Sequence, residues 1–308
     1  MITVGEVHTG LLQHSTAVPM RDIGELLGLM DGARVRHSER PIAHSISPER
    51  LVGLDCELPN GQGRARGIGT AATRALLVGR HVLQGSTYAR IVRGDADRRL
   101  PWSHYIARPG VIEIVGRADP DRLYTGLGDI AKNGGTLDLG SVSGRTIDDV
   151  QKNAGLDRRP PFKGPRTRLR WVARTGSEPG LVFRIDGETT RTAQFITTRD
   201  ADVSTLAALS EDIAVHDWLL TTAIRHVERA LIGSAGRADV VSTLRPVIDH
   251  MLHLWMPAAR LDDTMADLWA GLEKRPGFSR QWKTLIARIR DQMTLATIDA
   301  SRGRLGEY

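Results

Sequence analysis

Residues 210–231 read SEDIAVHDWLLTTAIRHVERAL, and within this segment the hydrophobic pattern of the chain becomes helical. The apolar stripe recurs every three, four or seven positions, at Ile213, Leu220, Ile224, Val227 and Leu231. This spacing predicts an amphipathic α-helix. Ser210 and the two acidic residues after it predict where the helix begins, because serine caps a first turn well and the helix dipole favours carboxylates there.

Three further segments toward the C-terminus show helical spacing. They run from Val240 to Leu254, from Asp263 to Lys274, and onward from a predicted cap at Ser279. Because single amphipathic helices cannot bury their apolar stripes, we expect residues 201–308 to form a bundle of about four helices. Four of the six tryptophans lie in it, and we expect them in the bundle core or on a partner or oligomer face: Trp218, Trp255, Trp269 and Trp282.

Upstream of about residue 200, short apolar segments bounded by Gly, Pro, Asn or Asp are typical of β-strands. The predicted strands are 34–37, 42–46, 51–58, 82–92, 111–115, 169–173, 181–185 and 193–197. One helix is predicted at 21–30, and the glycines from Gly126 to Gly144 predict a loop region that subdivides this part near residues 118–160. The sequence therefore predicts an α+β fold, with a β-rich basic N-terminal domain at 1–200 and a C-terminal helical bundle at 201–308.

The basic residues are unevenly distributed. Of the 42 Lys and Arg residues, 37 are arginine, and residues 1–200 carry a net charge of +7 whereas residues 201–308 carry −1. The densest basic run, residues 158–174, contains no acid. Alternating arginines on one strand face, with aromatic rings nearby, could bind a nucleic acid or another polyanion. The alternative is an ordinary solvated strand face. The candidate binding residues are Arg158, Arg159, Lys163, Arg166, Arg168, Arg170, Trp171 and Arg174.

Several function classes lack their motifs. The single cysteine, Cys56, cannot form an intrachain disulfide or a cysteine-based metal site. The N-terminal residues do not resemble a signal peptide, and no apolar run reaches the ~18 residues of a membrane span, so we expect a cytoplasmic protein. There is no P-loop, the elbow-like segment 140–144 carries Val142 in place of serine, and two G-x-G-x-x-A segments at 67–72 and 126–131 lack a strand–turn–helix context. We expect no cofactor and assign no catalytic residue.

Histidine and aspartate recur at helical spacing in the C-terminal part. Asp212 and His216 are four positions apart, and so are Asp249 and His253. Two helices that each present a carboxylate and an imidazole could hold a divalent metal between them. The pair His216-Asp217 also occurs in HD-type phosphohydrolases, but these need an earlier histidine ligand some tens of residues upstream, which is missing here. The alternative is a core histidine bonded to Asp212 or to a backbone carbonyl.

Four segments together carry a family resemblance: residues 97–105, 211–228, 252–257 and 275–282. They resemble an actinobacterial family known by a locus-style name, whose members are encoded beside a variant P-loop protein and a predicted methyltransferase. The resemblance transfers no catalytic residue. It implies a component of a small gene set that works in a complex with the other products of that set, and the P-loop protein is one candidate partner.

Three functional hypotheses follow. The first is a non-catalytic interaction or scaffold component of a cytoplasmic multiprotein system, with the bundle as its docking or homo-oligomerisation module. The second is a nucleic-acid or polyanion-binding protein that uses residues 158–174. The third is a metal-dependent hydrolase at the Asp212, His216, Asp249 and His253 positions.

Overall fold

A computed structural model describes residues 2–30, 32–59, 65–94, 98–129, 137–232, 237–259, 261 and 263–305. This part of the chain contains ten strands and eight α-helices, so the α+β class is confirmed, with the sheet in the N-terminal part and helices at the C-terminus. The strands are β1 (Ile2–Leu11), β2 (Arg36–Ser38), β3 (His44–Ile46), β4 (Arg50–Leu58), β5 (Ala65–Val78), β6 (Val82–Arg93), β7 (Val111–Val115), β8 (Thr167–Thr175), β9 (Gly180–Ile185) and β10 (Thr190–Thr197). The helices are α1 (Met20–Leu26), α2 (Trp102–Ile106), α3 (Pro120–Leu127), α4 (Leu139–Gln151), α5 (Val203–Ile232), α6 (Arg237–His250), α7 (Asp263–Lys274) and α8 (Phe278–Leu305), with a 3-10 turn at Leu252–Leu254.

The strands form one mixed sheet in the order β2-β3-β5-β7-β6-β1-β8-β10-β9, and β4 also pairs with β5. Only the β6–β7 and β8–β10 pairings of the described strands are parallel. β5 pairs with β7 over residues 66–69 and with β6 over residues 72–78, so β7 is wedged between β5 and β6 at one end. A Cβ at Gly69 would overlap the carbonyl oxygen of Val111, which explains why a glycine stands where β7 enters.

Helices cover both faces of the sheet. On one face, α1, α3 and α4 cover two apolar clusters, which include Val4 of β1 and Leu123 of α3. On the other face, Trp171 and Phe195 of the sheet share a larger cluster with Trp218 of α5 and with α6, α7 and α8. The change from strands to helices falls between residues 197 and 203, but the C-terminal helices and the sheet share one apolar core.

About four helices were expected in residues 201–308, where the structure has α5 to α8, but the described chain contains eight helices because α2, α3 and α4 lie in the part that was expected to be β-rich. The glycine-rich segment is not a loop throughout: Gly126 lies in α3, and Gly140 and Gly144 lie in α4, whereas residues 130–136 are outside the described residues. A Cβ at Gly140 would overlap the Glu6 carboxylate of β1. Gly140 therefore lets α4 approach the sheet closely, and composition alone does not distinguish that role from a turn.

The predicted start of the long C-terminal helix is wrong. α5 begins at Val203, and the Ser210 hydroxyl donates a hydrogen bond to the Leu206 carbonyl oxygen at 2.8 Å from within the helix. Glu211 and Asp212 therefore lie inside α5, where both are buried. Hydroxyl back-bonding to the preceding turn and N-capping use the same residue type, so the sequence pattern fitted both.

Candidate functional site

The second half of the basic segment 158–174 forms β8, and its alternating arginines face α3 and α4. Arg170 Nε lies 3.3 Å from Glu6 Oε2, and Arg168 pairs with the same carboxylate. Arg166 pairs with Asp148 of α4 at 2.9 Å. At the far end of β8, Arg174 pairs with Asp121 of α3 and lies over the Tyr124 ring. Arg168 and Arg170 are therefore engaged by a buried carboxylate, whereas Arg166 and Arg174 form ion pairs at the surface.

The other members of the basic segment divide into two groups. Trp171 points to the opposite face of β8, where it is buried in the sheet–helix core, so it offers no surface for base stacking. Arg158, Arg159 and Lys163 precede β8 and are exposed. Polyanion binding by this segment stays a prediction: Arg168 and Arg170 pair with Glu6, whereas Arg158, Arg159 and Lys163 are open to solvent.

Glu6 of β1 is the carboxylate that Arg168 and Arg170 share. Its carboxylate is buried between β1 and α4, and the two β8 arginines neutralise it. His8, two positions along β1, has its Nε2 3.7 Å from Glu6 Oε1. Burial and then the charge of Arg166 lower the pKa of His8 to about 4, so its ring is neutral at neutral pH. This cluster joins the sheet to α4.

The four predicted metal ligands do not come together. Asp212 and His216 are buried on α5, with His216 Nδ1 2.7 Å from the Asp212 carbonyl oxygen, and Asp212 Oδ2 accepts a hydrogen bond from the Ala258 amide at 2.9 Å. Asp249 instead accepts from Arg245 of its own helix at 3.1 Å. In the described ranges, no group of three or more His, Cys, Asp or Glu side chains could hold a metal ion. The alternative of a core histidine bonded to a backbone carbonyl fits this geometry.

The four C-terminal tryptophans lie inside the helical layer and do not form an exposed partner face. Trp218, Trp269 and Trp282 are buried, and the rings of Trp255 and Trp282 stack with centroids 4.4 Å apart. The His216 ring forms T-shaped contacts with the rings of Trp255 and Trp269, with ring centroids 4.9 and 5.6 Å apart. Trp218 Nε1 donates to the Pro165 carbonyl oxygen at 2.7 Å, which ties α5 to the segment before β8.

Two buried ion pairs between α5 and the sheet were not apparent from the sequence. Arg74 of β5 donates two hydrogen bonds of 2.8 Å to the two carboxylate oxygens of Glu211. Arg191 of β10 donates to Asp217 at 2.9 Å. Burial lowers the pKa of Arg74, but the charge and hydrogen bonds of Glu211 outweigh it and raise that pKa overall. One feature of the sequence could have indicated these pairs: Glu211 and Asp217 lie within a long apolar stripe, where a buried charge without a partner is costly.

A group of histidines lies where the β5–β6 turn meets the C-terminal helices. Gly79 in this turn has φ +57°, and a Cβ there would overlap the Leu254 side chain, so the turn and the 3-10 segment touch through a glycine. The rings of His81 and His250 are 5.1 Å apart. The pKa of His81 is lowered to about 4, first by burial and then by the charges of His250, His253, Arg80 and His14.

An apolar groove runs along the outer side of the C-terminal helices. It has a volume of about 460 Å³ and lies between the end of α6 and the middle of α8. Ile298, which lines it, is 43% exposed, and the neighbouring Leu295 is 55% exposed. Among the described lining residues, Arg290 alone carries a charge. Apolar side chains of α8 are therefore open to solvent along this groove.

No helix of the described chain has the length and apolar character needed to cross a lipid bilayer. Comparisons of the chain with protein-family models, with curated proteins and with solved structures give no match.

Proposed function

We propose that this protein is a non-catalytic interaction component of a multiprotein assembly, and that the α6–α8 groove receives an acidic amphipathic helix of a partner protein. The observation that carries the proposal is the groove itself. Arg168, Arg170 and the Asp212–His216 pair are engaged by contacts within the fold, whereas the groove leaves apolar side chains open to solvent.

The shape of the groove favours a helical partner. Its α8 wall is formed by Ile286, Ile289, Met293 and Thr297, which are three or four positions apart and therefore share one face of the helix. From Ile286 to Ile298 this wall is roughly 18 Å long at 1.5 Å per residue. Ile248 of α6 lies on the opposite wall. A groove of this kind accepts the apolar side chains of an amphipathic helix at positions i, i+4 and i+7.

The charge of α8 favours an acidic partner over a second copy of the chain. Residues 278–305 contain six Lys and Arg residues and two Asp residues, a net charge of +4. Two copies of α8 placed side by side would bring these like charges together, which disfavours that pairing. An acidic helix would meet Arg290, the charged residue of the described groove lining.

The test uses a labelled amphipathic Leu/Glu peptide of about 15 residues, long enough to span the groove, and a Leu/Lys peptide of the same pattern. Fluorescence anisotropy with the full chain should show the Leu/Glu peptide binding at least about tenfold more tightly. Ile298→Glu and Thr294→Glu should abolish binding. Ile106→Glu is the matched control, because Ile106 is an apolar residue on α2 that is 61% exposed, and it should leave binding unchanged.

Two outcomes contradict the proposal. If both peptides bind equally, or if Ile298→Glu binds as the unaltered chain does, the groove is not a selective docking surface. If sedimentation shows a dimer that Ile298→Glu converts to a monomer, the groove is covered by a second copy of the chain and the acidic-partner proposal is wrong.

A further inference from the structure

The strand at one end of the sheet, β9, has a free edge. The sheet order ends at β9, which pairs with β10 and with no other described strand. The Asp186 amide donates to the Thr190 carbonyl oxygen at 3.0 Å, so Asp186 and every second residue before it bond toward β10. The N–H and C=O groups of Leu181, Phe183 and Ile185 therefore point away from β10, along the outer edge of the sheet.

The side chains at the same three positions are all apolar. The rings of Phe183 and Phe278 of α8 have their centroids 5.4 Å apart, and the Leu181 side chain is 3.6 Å from where a Cβ at Gly271 of α7 would lie. Ile185 is left uncovered, and its exposed fraction of 66% is the highest among the exposed large apolar residues of the described chain. β9 therefore presents unpaired backbone groups and an uncovered apolar side chain along one edge.

The other open edges of the sheet carry protection that β9 lacks. β2, at the opposite end, is three residues long and exposed throughout. β4, which pairs with β5 alone among the described strands, carries Asp55 and Glu57 beside its apolar residues. Short length and charge are the usual means by which a protein keeps an edge strand from pairing. Residues 180–185 contain no proline and one charged residue, Arg184, so this edge is open to a further strand.

We propose that β9 pairs with β9 of a second copy of the chain, antiparallel and with Phe183 of one copy opposite Phe183 of the other. In this register Leu181 of each copy lies opposite Ile185 of the other copy. The outward backbone groups of all three residues then find partners, which gives about six hydrogen bonds between the two strands. Ile185 is covered at the same time, because the Leu181 side chain of the other copy lies on the same face of the joined sheet.

The pattern of the strand itself favours a second copy as the partner. Leu181 and Ile185 are placed symmetrically about Phe183, and a twofold axis through an antiparallel pair brings such positions opposite each other. Residues 180–186 contain Arg184 and Asp186 and carry no net charge, so two copies meet without the like-charge repulsion that two α8 helices would have. Twofold pairing uses the free edge of both copies, so the assembly closes as a dimer.

The helices over β9 leave room for this pairing. α7 contacts β9 at Leu181, through Gly271, and does not cover Ile185. In the proposed register the Leu181 residues of the two copies are four positions apart along the joined strands, roughly 13 Å at 3.3 Å per residue. This separation exceeds the roughly 8–10 Å between the axes of packed helices. Ile185 of one copy then lies beside the point where α7 of the other copy carries the small residues Ala270 and Gly271.

The test is sedimentation equilibrium of the full chain over about 1–100 µM, which should show a concentration-dependent dimer. Ile185→Lys places a charge on the pairing edge and should weaken the dimer at least about tenfold. Ile106→Lys is the matched control, because Ile106 is an isoleucine of α2 that is 61% exposed, and it should leave the dimer unchanged. The melting temperature of each variant shows that its chain is folded.

Three further variants test the edge, the register and the independence from the α6–α8 groove. Ile185→Pro removes an outward N–H but keeps the bonds to β10, so it should also dissociate the dimer. Val182→Glu places a carboxylate opposite Arg184 of the second copy and should tighten the dimer at least about twofold. Ile298→Glu should leave the dimer intact. The proposal is overturned if the unaltered chain is a monomer throughout this range, if both Ile185 variants dimerise as the unaltered chain does, or if Val182→Glu weakens the dimer.

Discussion

Breaking the Arg74–Glu211 pair by the substitution Glu211→Leu is expected to destabilise the protein by about 3–5 kcal/mol. The side chains of Arg74 and Glu211 are 4% and 2% exposed, and two hydrogen bonds of 2.8 Å join them. A hydrogen bond to a charged group contributes about 1.5–3 kcal/mol, so two of them agree with this range. Without Glu211, the Arg74 guanidinium stays buried with Glu49 as its remaining carboxylate, at 3.4 Å. The loss would be a large part of the ~5–15 kcal/mol that folded domains possess.

The free energy of unfolding should be measured by urea denaturation, with tryptophan fluorescence as the signal. The double variant Arg74→Met/Glu211→Leu should be less destabilised than the sum of the two single variants, because it removes both charges and leaves neither buried alone. Glu188→Leu is the control, since Glu188 pairs with Arg225 on the surface and is 82% exposed, and it should cost less than about 1 kcal/mol. If Glu211→Leu costs no more than Glu188→Leu, or if the two single effects simply add, the reasoning is refuted.

Two other predictions concern buried charge. The pKa of His81 is 6.5 in the unfolded chain and about 4 in the folded protein. The stability that the neutral ring contributes is therefore fully present above pH 6.5 and falls as the pH drops from 6.5 toward 4. The loss in the free energy of unfolding approaches about 3 kcal/mol. Melting temperatures at pH 7 and pH 5 should therefore differ less in His81→Gln than in the unaltered chain. An equal difference in the two proteins would contradict the lowered pKa of His81. Arg170→Ala leaves the buried Glu6 carboxylate with one arginine fewer and should lower the free energy of unfolding in urea by about 3 kcal/mol. Arg159→Ala, at an exposed position in the same basic segment, should leave it within about 0.5 kcal/mol, and equal costs would show that Arg170 is not buried against Glu6.

Elements with a strong local pattern could be predicted from the sequence. β7 was expected at residues 111–115 and α7 at 263–274, and both have those bounds in the structure. β5 was missed because its glycines, alanines and arginines give little hydrophobic signal, although it is the longest strand described. These small residues are needed where β7 enters the sheet and where neighbouring layers approach, and such contacts come from distant parts of the chain.

The candidate sites show the same limit. The alternation predicted that Arg168 and Arg170 share a side of the strand, but not that both bind Glu6, which lies more than 160 residues away in sequence. In the same way, Asp217 of α5 pairs with Arg191 of β10, which lies 26 residues earlier in the sequence. An i,i+4 pattern reports which helix face a residue occupies, but not what covers that face.

The change from strands to helices near residue 200 and the location of the basic excess could be predicted from the sequence. The reason is that backbone periodicity is a local property of consecutive residues. The tertiary structure alone decided that α4 covers the arginine face, that α5 is joined to the sheet by buried ion pairs, and that apolar surface remains open at the α6–α8 groove and along the outer edge of β9. Whether a charge is exposed or neutralised depends on which distant segment packs against it, because the cost of burying that charge is set by its partners in space.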